Sequence, residues 1–132
     1  MDGGVINLVD TYGIAKDTRV GTSDGQNRTG VSGWATVGAD VTNGLIPLAT
    51  GKSIRLIGTT LPAAIDSKSA IVWYSDGSRQ TGGYLYTNSD STAYSIQTNS
   101  DGSYIITNNT SYTHIRMSFP YTKISDIIVS YV

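Results

Sequence analysis

The stretch Thr113-His114-Ile115-Arg116-Met117-Ser118-Phe119 decides the fold class. Successive residues of a β-strand point to opposite faces, so Ile115, Met117 and Phe119 form one apolar side and His114, Arg116 and Ser118 form the other. Such alternation predicts a half-buried strand, with the apolar set in a core and the polar set on the opposite surface.

Working outward, similar runs recur at Val5 to Val9, Val31 to Val37, Leu45 to Leu48, Ser53 to Gly58, Ala70 to Tyr74, Gly83 to Thr87, Ala93 to Gln97, Tyr104 to Thr107 and Ile124 to Tyr131. No window sustains the helical spacing of apolar residues, and the turn pairs Asn43-Gly44, Asp76-Gly77 and Asp101-Gly102 separate several runs. Asparagine, aspartate and glycine tolerate the positive φ angles that tight hairpins require. The polar stretch from Asp10 to Gly30 reads as a loop with a short strand near Arg19 to Gly21. The fold class expected is all-β: a two-sheet antiparallel sandwich forming one domain over residues 1–132, cut from a longer chain.

Alternation sorts the remaining side chains. Val31, Ala35 and Val37 face inward, which leaves Trp34 on the polar side, where it asks for a cover or a ligand. With Leu85 inside, Tyr84 and Tyr86 share an outer face about 7 Å apart. Ile71 and Trp73 make the bulkier core pair, so Tyr74 is expected outside or at a rim. Ile54 and Leu56 are internal and Arg55 external. Leu8, Ile46, Leu48, Ile96, Ile106, Ile127 and Val129 complete the expected core.

Composition excludes several functions. The formal net charge is −1, from 9 basic and 10 acidic side chains, and no basic cluster occurs, so neither nucleic acid nor an anionic membrane surface is an expected partner. The start Met1-Asp2-Gly3-Gly4 lacks a basic segment followed by an apolar run, and no stretch approaches the roughly 20 apolar residues of a membrane span. There is no cysteine, no glutamate and one histidine, His114, which removes disulfides and the usual zinc ligand sets. Aspartates in turns, Asp24, Asp76, Asp90 and Asp101, leave a structural calcium conceivable, but none shows the alternating acidic spacing of a calcium loop. A glycosidase would have to work with aspartates in solvated turns, and no serine sits in a Gly-x-Ser-x-Gly elbow. No catalytic residue, no metal ligand and no cofactor is therefore assigned.

Four blocks carry a family resemblance: Asn7-Leu8-Val9-Asp10; Gly33-Trp34-Ala35-Thr36 leading through Ile46-Pro47-Leu48 to Gly51-Lys52-Ser53-Ile54-Arg55-Leu56; Trp73-Tyr74-Ser75-Asp76-Gly77-Ser78; and His114-Ile115-Arg116-Met117-Ser118-Phe119. Their order resembles the jelly-roll, carbohydrate-binding-module-like domains of bacteriophage and prophage tail, baseplate and tail-fibre proteins, with His114 in place of the more usual aromatic. The resemblance implies a non-catalytic, glycan-binding role in a virion, outside the cell, with a bacterial cell-surface saccharide as partner.

Pyranose rings stack on aromatics through their C–H faces, while their hydroxyls pair with planar polar groups. Trp34, Tyr74, Tyr84, Tyr86, Arg116 and His114 supply that mixture and are the candidate ligand-binding residues. Arg116 is the most informative, because a strand flanked by core residues would fix its planar donor fork. The same aromatics could equally be cross-strand pairs, or anchors of a structural spacer packing against its own copies or other tail proteins.

Overall fold

A computed structural model describes residues 6–20, 27–38, 45–59, 71–75, 84–87 and 94–132, without the side chains of 19–20, 27–29, 84–87 and 94. The expected all-β class holds. One sheet runs β1 (Ile14–Lys16), β4 (Trp34–Val37), β11 (His114–Pro120), β7 (Ile71–Tyr74) and β8 (Tyr84–Thr87), with β5 (Ile46–Pro47) also paired to β11. The second runs β12 (Ile128–Tyr131), β6 (Ser53–Ile57), β10 (Tyr104–Asn108) and β9 (Tyr94–Thr98), and a ribbon joins β2 (Thr18–Val20) to β3 (Asn27–Thr29). Every pairing is antiparallel.

The inner faces meet in one core. Ala35, Val37, Ile46, Ile71, Trp73, Ile115, Met117 and Phe119 from the first sheet pack with Ile54, Leu56, Ile106 and Val129 from the second, as the sequence reading expected, Ile71 and Trp73 on their bulk rather than on alternation. The Trp73 side chain is fully buried there and, among the described residues, its Nε1 has no hydrogen-bond partner. A buried unpaired donor costs about 1–3 kcal/mol. Replacing Trp73 with Phe removes that donor while leaving a small void, so the two effects offset. The expected net change is within about 1 kcal/mol, against about 3–5 for alanine, read from urea unfolding midpoints. A phenylalanine loss as large as the alanine one would mean that the indole N–H is satisfied.

Several boundaries differ from the sequence reading. The run expected as a strand over Val5 to Val9 contributes Leu8 and Val9 to a short helix, α1 (Leu8–Tyr12). Its start is fixed by Asn7, whose side chain accepts from the Val9 N–H at 3.1 Å, and its end by Gly13 at φ 83°. The polar stretch expected as a loop with one short strand near Arg19 to Gly21 holds β2 at about that place, and also β1 and β3, joined by ladder pairing rather than by apolar alternation. Val31, expected in the core, is half-buried in a turn before β4. The last run divides into a 3-10 turn, Ile124–Asp126, and β12.

Of the three turn pairs, Asp101-Gly102 lies in the β9–β10 hairpin, with Gly102 at φ 86° and the Asn99 N–H bonded to the Ser103 carbonyl at 2.9 Å. Asn43-Gly44 and Asp76-Gly77 lie outside the described residues.

Asn7 also reaches across the chain. Its Nδ2 donates to the Ile127 carbonyl at 3.1 Å, and its Oδ1 accepts from the Val129 N–H at 3.0 Å. One carboxamide therefore caps α1 and holds the outer edge of β12.

Candidate functional site

The strand register brings all six candidate residues into the first sheet. His114 pairs with Tyr74, which pairs with Tyr84; Arg116 pairs with Val72, which pairs with Tyr86; Trp34 lies opposite Pro120. Inter-strand pairing carries side-chain parity, so Trp34, Tyr74, His114 and Arg116 share the side of the sheet opposite the core, and Tyr84 and Tyr86 are placed by backbone register alone.

That face is not the open surface expected of it. Tyr74 and Arg116 are both 0% exposed, as are Val72, Thr36 and Ser118. Leu45 packs with Val72 and Tyr74 in a second apolar cluster. The Arg116 Nε donates to the Gly38 carbonyl at 2.8 Å. Thr36 Oγ1 donates to the Thr18 carbonyl at 3.1 Å; its single proton is then committed, so the 3.0 Å contact with Ser118 Oγ is donated by Ser118. Polar residues that alternation assigned to water instead bond to backbone beneath β2 and its neighbours.

The correction therefore applies to Tyr74 and Arg116, whose burial takes them off the surface. Trp34 and His114 are half-buried, with Thr113 Oγ1 2.8 Å from His114 Nδ1. The side chains of Tyr84 and Tyr86 lie outside those described.

The outer face of the second sheet offers a different arrangement. Ile54 and Leu56 point inward and Val129 with them, which turns Arg55, Ile57, Ile128 and Ser130 outward. A groove of about 670 Å³ lies here, lined by Asn7, Arg55, Ile57, Ser125, Ile128, Ser130, Tyr131 and Val132. It falls within the size range of small-molecule sites, which mix apolar walls with a few placed polar groups. Ile128 is 36% exposed and Val132 70%.

Tyr131 is 49% exposed. Its hydroxyl donates to the Pro47 carbonyl of β5 at 2.6 Å, tying the edge strand of one sheet to the backbone of the other. Burial, followed by the neighbouring Tyr12 phenol, pushes its pKa up to about 12, so it stays a protonated donor across the physiological range. The ring is thus anchored at its tip and half open to solvent.

Asp101 is engaged in its own turn, accepting from the Ser103 N–H at 2.9 Å and the Ser103 Oγ at 2.6 Å. The Ser103 bonds, and to a smaller extent the Arg55 charge, hold its carboxyl below the usual range. Asp24, Asp76 and Asp90 lie outside the described residues, and no group of three potential metal ligands forms among those described. No described helix is long and apolar enough to cross a membrane.

Arg55 and Tyr131 were missed as site residues for different reasons. Ile54-Arg55-Leu56 has the same outward-arginine pattern as Ile115-Arg116-Met117, and alternation cannot tell a covered face from an open one. Tyr131 follows Val129 in parity and reads as core; only its place near the open end of the sandwich exposes it.

No family model matches the chain, and no significant similarity to curated proteins or solved structures was found.

Proposed function

We propose that the domain is a non-catalytic carbohydrate-binding module of a phage or prophage tail-associated protein, and that it recognises a bacterial cell-surface glycan through the groove along β12. The observation that carries this reading is the groove itself, which half-exposed Tyr131, anchored at its hydroxyl on the Pro47 carbonyl, lines together with Arg55 and the apolar Ile57 and Ile128. A rigid aromatic suits the C–H face of a sugar, and Ser125, Ser130 and Arg55 offer polar partners for its hydroxyls. The resemblance to jelly-roll tail modules agrees with a binding role in a virion, where several copies would raise effective affinity without new contacts.

Binding to an array of bacterial wall polysaccharides tests it. Tyr131→Ala is expected to lower the signal at least tenfold, whereas Tyr131→Phe keeps the ring and most of the binding, with thermal melts showing that both variants fold. Full retention by the alanine variant would place any glycan site elsewhere.

The exposed Ile128, Tyr131 and Val132 also favour a second reading, a spacer that packs against its own copies or other tail proteins. Sedimentation separates the two: a stable oligomer that buries Tyr131 supports the spacer.

A further inference from the structure

The groove along β12 has one charged side chain in its lining, and that charge is positive. Arg55 shares it with Asn7, Ser125, Ser130, Tyr131 and apolar residues. Its cross-strand neighbours on the outer face are Ser130 on β12 and Ile105 on β10, with Gln97 beyond. None of these three side chains carries an opposing charge. Asp101 feels the Arg55 charge at longer range, its carboxylate being held by the Ser103 N–H and hydroxyl rather than by the guanidinium. Among the described residues Arg55 makes no hydrogen bond or ion pair, and its side chain is half-buried on a central strand.

We propose that the saccharide taken by this groove is acidic, a uronic-acid type whose ring carboxylate sits on the Arg55 guanidinium while its apolar face lies against Tyr131. This deepens the glycan-binding reading and rests on it. A guanidinium matches a carboxylate with two parallel N–H bonds, about twice as strong as neutral ones. Phosphate sites characteristically add converging backbone N–H groups at helix starts or turn nests. The backbone of β6 is instead engaged in ladders on both sides. One fork bearing one charge therefore fits a carboxylate better.

The test titrates the isotope-labelled domain with an oligoglucuronate hexamer, its carboxyl-reduced hexamer and inorganic phosphate, following the Arg55 Nε–H and Tyr131 signals. A parallel sample with an amidated C-terminus removes the Val132 carboxylate from the groove, and the same pattern is expected in it. The acidic hexamer should bind at least tenfold more tightly than the reduced one, and Arg55→Gln should erase the difference. Equal binding of both hexamers in the groove overturns the acidic preference and leaves glycan binding standing. Phosphate moving these signals when oligoglucuronate does not overturns the choice of carboxylate. Groove signals unmoved by either hexamer, together with no array binding, overturn both readings.

Discussion

Arg116→Ala is expected to lose about 3–5 kcal/mol of stability, read as a large drop in the urea midpoint. Two effects add. Truncating a large, fully buried side chain leaves a cavity, which costs about 2–5 kcal/mol for core residues. The Gly38 carbonyl, which accepts from Arg116 Nε at 2.8 Å, loses that partner at a further ~1 kcal/mol or more. Arg116→Lys is expected to be nearly as damaging, because an ammonium cannot reproduce the side-on Nε donor. A surface ligand contact would behave differently, leaving stability unchanged and lowering binding alone. A stable Arg116→Ala variant would therefore contradict the burial.

Gly58→Ala is expected to cost about 3 kcal/mol, for reasons that no side-chain contact reveals. Gly58 ends β6 at φ 91°, a conformation that an L-residue adopts only under strain of about 1–2 kcal/mol. A Cβ there would also run into the backbone of Asp126 and lie 2.6 Å from its carbonyl carbon, so the 3-10 turn before β12 would have to move. Overpacking of that kind adds about 1–3 kcal/mol. Gly51→Ala makes the control: its φ is 81°, yet nothing lies within 4 Å of the added atom, so only the strain is expected. Equal losses at the two positions, measured by thermal unfolding, would remove the close approach from the explanation.

The inner faces were legible because alternation is a local property. Ile115, Met117 and Phe119, like Ile54 and Leu56, lie where period two puts them. The outer faces were not, because a polar outer residue means water only if nothing else covers the sheet. Cover over Thr36 comes from β2, whose short run the sequence marks as a strand without showing where it packs. Arg116 lies on β11, which β2 also contacts, whereas Tyr74 is buried with Leu45 and Val72. α1 escaped notice for the opposite reason: two buried residues, Leu8 and Val9, are consecutive, which suits a strand run as well as one helical turn. What separates them is the capping bond of Asn7, a contact between side chain and backbone that apolar patterning does not encode.

The place of β12 bears on the order in which the chain can complete its fold. Sheet order runs β12, β6, β10, β9, so the strand nearest the end of the sequence fills the edge beside β6, and Asn7 joins Ile127 across 120 positions. Contacts so distant in sequence form only after the intervening loop has closed, at an entropic cost that rises with its length. While residues 128–131 are still missing from a growing chain, β6 presents an unpaired edge and the core lacks Val129. An unpaired edge recruits other strands. Pairing of β12 therefore covers the β6 edge and completes the core in one step, while Asn7 in turn occupies the Ile127 carbonyl and the Val129 N–H on the outer side of β12.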